Sequence, residues 1–166
     1  MHVSERAYVT DTAPELDYLT SSVTFHFVNS GRVPSGKVEI VAHETTINSS
    51  EPTPLFDLRF AVERHWGRYR IQSIPPGIAT RLSLAIPVPQ MSETKLNAGL
   101  QQIIVAGSIV YEDGFQDTPQ QRWPFCEHTV YQTAMKRIFI TPCDPEEILP
   151  KIEALDGYPN NPEPSN

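Results

Sequence analysis

Gly31, Gly36 and Lys37 stand in "NSGRVPSGKVEI" with the spacing of a phosphate-binding loop, two glycines separated by four residues and followed by lysine. Such a loop needs a Ser or Thr after the lysine to reach magnesium, and a helix whose N-terminus faces the phosphates. Val38 fills the hydroxyl position, Pro34 removes a backbone donor, and Val38, Ile40 and Ala42 continue with a period of two. The stretch therefore reads as a connection between two strands, and no nucleotide or other cofactor is expected. "HETTI" begins like the zinc-protease motif HExxH but ends on Ile47, which removes the second histidine ligand.

Other residues with metal or ligand chemistry are scattered. Cys126 and His128 share one face of a strand at i and i+2, yet no spacing supplies the further ligands that zinc needs, so no metal ligand is assigned. Glu112, Asp113 and Asp117 cluster in "YEDGFQD" near a hairpin tip, where calcium would accept their oxygens. The alternating ladder and distal Glu of an EF-hand are missing, and solvated turn acids are the stronger reading. Trp66, Tyr69 and Trp123 offer aromatic faces for sugar or peptide, although rings at strand starts more often close the rim of a core. These six residues are the ligand-contact candidates. No GxSxG elbow and no local Ser/His/Asp or Cys/His set marks a catalytic residue, so the chain is not expected to be an enzyme. A hydrolase built from dispersed residues ranks last.

The elements that must position these residues are short. A chain of 166 residues fits one domain, and 16 prolines between apolar runs favour strands and turns over long helices. A net charge of -7 opposes a phosphate backbone, offset locally only by Arg59, Arg64, Arg68 and Arg70, which read as solvated strand positions around a turn, so nucleic acid is not the expected partner. No apolar run approaches the roughly 18 residues of a membrane span, and "MHVSERAYVTDTAPE" has no apolar export core. The chain as it stands is expected to be soluble, without an export signal or direct membrane insertion.

Alternation identifies the strands. "SVTFHFVN", "KVEIVAHE", "PLFDLRFAVE" and "RYRIQSI" come first, followed by "IATRLSLAIPV" with Leu82, Leu84, Ile86 and Val88 on one face. "MSETKLNAGL" reads as a loop with one helical turn. "QQIIVAGSIVY" is a nearly continuous apolar run, suited to a central strand buried on both faces. "RWPFCEHTVYQ" and "KRIFITP" complete about eight or nine strands, the pattern of a sandwich or barrel. If those last two are hairpin arms, Cys126 and Cys143 fall on neighbouring strands within bridging reach. Two free buried thiols are the preferred expectation, with a bridge as the alternative. Asp144, Pro145 and the acids after them start a short helix over 144–156, interrupted near Pro150, and a disordered tail over 157–166.

"ERAYV", "FHFVNSGRVPSGKVEI", "IPPG" and "VAGSIVYEDGFQDTPQQRWPFC" together resemble an extracytoplasmic domain of bacterial membrane-anchored proteins of unknown function. The likeness rests on Arg6, Ala7, Tyr8, Val9, Asn29, Gly31, Pro34, Gly107, Ile109, Tyr111, Asp113, Phe125 and Cys126, with Ser35 where alanine is usual. It implies an all-β, Ig-like antiparallel sandwich over 1–143, tethered outside the cytoplasmic membrane by helices that precede the domain. No catalytic residues carry over. The expectation is a non-catalytic interaction or structural module for a protein partner. A carbohydrate- or calcium-binding module is the alternative.

Overall fold

Eight strands and one short helix are built by residues 6, 7, 9–50, 67–71, 73–113, 115 and 120–143, the residues described in this computed structural model. In chain order they are β1 (Val9–Asp17), β2 (Ser22–Asn29), β3 (Val38–Asn48), β4 (Gly67–Ile71), β5 (Gly77–Pro87), α1 (Glu93–Asn97), β6 (Gln101–Tyr111), β7 (Gln121–Gln132) and β8 (Arg137–Pro142). They form two antiparallel sheets, a three-stranded one ordered β1-β2-β5 and a five-stranded one ordered β4-β3-β6-β7-β8. The chain crosses between sheets at 30–37, so "SGRVPSG" is the strand connection that its period of two requires.

Inward-facing side chains of both sheets make one core. Val23, Phe25 and Phe27 alternate along β2 and meet Ile40, Ile103, Ile109 and Phe125 from the other sheet. Phe125 lies opposite Gly107 and brings its ring 5.1 Å from Phe25 and 6.1 Å from Phe27, so three aromatic rings bridge the layers. Full burial of each ring contributes about 2–3 kcal/mol. β6 is buried along its whole length, as expected of a central strand, and Ile104, Ala106 and Ser108 point away from the core cluster.

β1 is a strand that periodicity does not reveal, because its ladder with β2 shifts register between Thr12 and Glu15, around Pro14. Asp17 closes the β1–β2 turn by accepting hydrogen bonds from the Leu19 and Thr20 amides at 2.9 and 3.2 Å. α1 is the one helical turn expected, capped by Ser92 and inserting Leu96 into the core.

The cysteines correct the preferred expectation. Cys126 and Cys143 are disulfide-bonded, with Cα atoms 5.2 Å apart, because β7 and β8 are hairpin neighbours and the register sets Cys143 opposite Cys126. The Cys143 amide donates to the Cys126 carbonyl at 2.9 Å, which fixes that register at the bridge. The strand expected in "PLFDLRFAVE", the helix over 144–156 and the tail over 157–166 lie outside the described residues.

Candidate functional site

Arg6, Asn29, Ser35 and Asp113 converge at the pole where β1 starts and β2 and β6 end. Asp113 is 2% exposed and ion-pairs with Arg6, Nη1 to Oδ2, at 3.3 Å. Its Oδ1 accepts the Phe115 amide at 3.2 Å, and the Arg6 guanidinium lies 5.4 Å from the Phe115 ring centroid. The Ala7 amide donates to the Asp113 carbonyl at 3.2 Å. Fully buried Asn29 accepts the Gly31 amide at 3.0 Å and donates from Nδ2 to the Val33 and Ile74 carbonyls at 2.8 and 3.1 Å. Gly31 is required by proximity, since a Cβ there would collide with the Arg6 carbonyl.

Ser35 and Gly36 extend this network. Ser35 exchanges bonds with Ile74, amide to carbonyl at 3.1 Å and Ile74 amide to Ser35 Oγ at 2.8 Å, while the Gly36 amide donates to the Glu112 carbonyl at 2.9 Å. The amides that a phosphate loop would offer to a ligand are spent on joining the β2–β3, β4–β5 and β6–β7 connections. The arrangement closes the end of the core with hydrogen-bonded amides and carbonyls, and the buried Asp113 Oδ2 is met by the Arg6 ion pair.

The ligand-contact candidates separate in space. Trp66 and Asp117 lie outside the described residues. Tyr69, Ile40, Ile109 and Trp123 are successive cross-strand partners on one face of the five-stranded sheet. Three strand spacings therefore divide Tyr69 from Trp123, about 14 Å. Tyr69 packs half-buried against the core, and burial, with Glu44 nearby, pushes its hydroxyl pKa above the ordinary value. Trp123 is 46% exposed at the opposite margin. Glu112 is half-buried beside Gly36, and Asp113 is held by Arg6. Among the described residues no group of three or more His, Cys, Asp or Glu side chains is placed to hold a metal ion.

Ser83, His26 and Glu15 are brought together by pairing that the sequence spacing conceals. His26 Nδ1 lies 2.8 Å from Ser83 Oγ, and its Nε2 lies 3.8 Å from Glu15 Oε1, in a line across β5, β2 and β1. This has the order of a nucleophile, base and acid. Acyl transfer also needs amide donors aimed at the developing oxyanion. On a sheet face the amides lie in the plane of the ladder, at right angles to the direction in which the Ser83 hydroxyl projects. Glu15, with a side chain 76% exposed, faces water and holds the imidazole weakly. The line therefore reads as a cross-strand polar ladder.

The edge of β8 has a different character. Because the Cys143 amide points to β7, the alternation of an antiparallel ladder turns the backbone groups of Ile138 and Ile140 outward. Pro142, the next outward position, has no amide to offer, which suits an edge. Phe139 is 36% exposed. Among the described residues the other outer strands are blunted: β1 by its register shift at Pro14, β4 by its length of 5 residues and exposed Arg68 and Arg70, and β5 by small or polar outward residues such as Ser83 and Ala85. Periodicity signals a strand at 137–142, but its edge position depends on sheet order.

Among the described residues no helix is long and apolar enough to cross a membrane. No family model, curated protein or solved structure matches this chain.

Proposed function

We propose that the chain is a non-catalytic recognition module that captures an extended segment of a protein partner by strand addition along β8. The observation that carries this reading is the outward set of Ile138 and Ile140 backbone groups beside exposed Phe139, on an edge whose register with β7 runs unshifted and whose single charge, Arg137, stands at its start. Backbone pairing supplies affinity in such a mode, and the Phe139 side chain supplies selectivity. The disulfide anchors the far end of this edge to β7, so the template is presented in a fixed register.

The same proposal includes an Ig-like topology and an extracytoplasmic setting. Pairing of the first, second and fifth strands, opposed to the third, sixth and seventh, corresponds to the A-B-E and C-F-G pairing of Ig-like sandwiches. In that scheme β4 and β8 are additions beside β3 and β7. A disulfide persists in an oxidising compartment, which agrees with the membrane-tethered bacterial domain that the chain's motifs resemble.

The test is a selection of short extended peptides against the chain, followed by amide shifts and hydrogen exchange on the selected complex. Strand addition protects Ile138 and Ile140, and Ile140→Pro abolishes binding while sparing the β7–β8 ladder. Peptides that bind with these two amides unmoved refute the proposal.

A further inference from the structure

β8 is symmetric in sequence about Phe139. Ile138 and Ile140 flank it, both half-buried with side chains toward the core, while Phe139 stands on the outer face and is 36% exposed. The outward backbone groups belong to the same two isoleucines. An antiparallel partner meets this edge running in the opposite direction, so a strand symmetric about its own centre is complementary to a copy of itself.

We propose that β8 pairs with β8 of a second copy of this chain about a two-fold axis at Phe139, an inference that rests on the strand-addition reading of this edge and names its occupant. In that register Ile138 faces Ile140 of the second copy, and Ile140 faces its Ile138. Each pair exchanges both amide and carbonyl, so every outward backbone group of the two isoleucines is used. Phe139 then faces Phe139 of the second copy at a position without hydrogen bonds, where Cα atoms approach to about 4.5 Å and side chains lie closest. An aromatic pair is favoured there.

Charges and strand ends fit the same register. Arg137, the single charge of β8, faces Thr141 of the second copy and not the other Arg137. Pro142, which has no amide to offer, falls opposite Lys136, whose φ of 50° has already turned it out of the strand. An axis on Ile140 would instead set Ile138 against Pro142 and lose an amide, and an axis on Ile138 would set Ile140 against Lys136. The outer strand β4 has the same symmetric form in Arg68, Tyr69 and Arg70, but self-pairing there places arginine against arginine. β8 is a short edge of 6 residues, so its dimer is weak and concentration-dependent.

The experiment is sedimentation equilibrium of the full chain up to millimolar concentration, with isotope-filtered NMR on an equal mixture of labelled and unlabelled chain. A reversible dimer is expected, with a cross-peak between the Hα protons of Phe139 in the two copies. Phe139→Arg, at an exposed position, sets like charges in the closest pair and should weaken dimerisation by about tenfold. A chain that stays monomeric throughout, or a dimer that lacks the Phe139 cross-peak or tolerates Phe139→Arg, overturns self-pairing. The strand-addition reading survives that result if selected peptides still shift the Ile138 and Ile140 amides, and falls with it if they do not.

Discussion

Asp113 and Arg6 form an ion pair 3.3 Å long in which the carboxylate side chain is 1% exposed and the guanidinium 38%. One partner is desolvated and the other reaches water, so removal of the arginine leaves a buried charge supported by the Phe115 amide. Arg6→Ala should therefore destabilise the chain by about 1–3 kcal/mol, less than a fully buried pair because the arginine is well solvated. Urea denaturation measures this. A midpoint unchanged from the parent would show that the N-terminal segment is not fastened to the β6–β7 connection.

Gly31 and Gly77 separate crowding from backbone strain. A Cβ at Gly31 meets the Arg6 carbonyl, whereas Gly77 has open space around it but a φ of +110°. Gly31→Ala should cost about 1–3 kcal/mol through displaced backbone, and Gly77→Ala about 1–2 kcal/mol through strain alone. Arg6 and Ala7 amide shifts distinguish the two, since they move in the first variant and stay in place in the second.

The disulfide spans a sequence separation of 17, for which chain-entropy reasoning gives about 3 kcal/mol. Cys126→Ser with Cys143→Ser should lower thermal stability by that order, with faster hydrogen exchange concentrated in β8. Uniform loss of protection across both sheets would mean that the bridge supports the whole fold and not the edge.

His128 predicts a pH dependence. It lies on β7 with Nε2 3.3 Å from Thr141 Oγ1, and burial pushes its pKa below the ordinary 6.5. The unfolded chain then binds a proton at higher pH than the folded one. Stability from this group is complete above 6.5 and is lost as pH falls through the lower folded value. Urea midpoints should drop between pH 7 and 5, and His128→Gln should flatten that slope. A variant with the parent's slope would assign the dependence to other groups.

Strand identity was legible where alternation is local. Val23, Phe25 and Phe27, or Leu82, Leu84 and Ile86, need no partner to show which face is apolar, because side-chain direction in a strand follows from backbone geometry alone. The uninterrupted run of β6 likewise announced a strand covered on both faces. The same rule separated the Gly-Lys stretch from a nucleotide loop, since a period of two after Lys37 leaves no helix to face a phosphate.

Other features depended on sheet order. β1 escaped detection because a register shift at Pro14 breaks its period. The line of Ser83, His26 and Glu15 exists because β2 lies between β1 and β5, and Tyr69 stands apart from Trp123 because β3 and β6 lie between their strands. Cysteine spacing permitted a bridge without requiring one, and the β7–β8 register placed the two thiols opposite each other. Arg6 and Asp113 are 107 residues apart in the chain. Closing so long a loop is an entropic cost met by the whole packed fold, and so the pole they share is a property of tertiary structure.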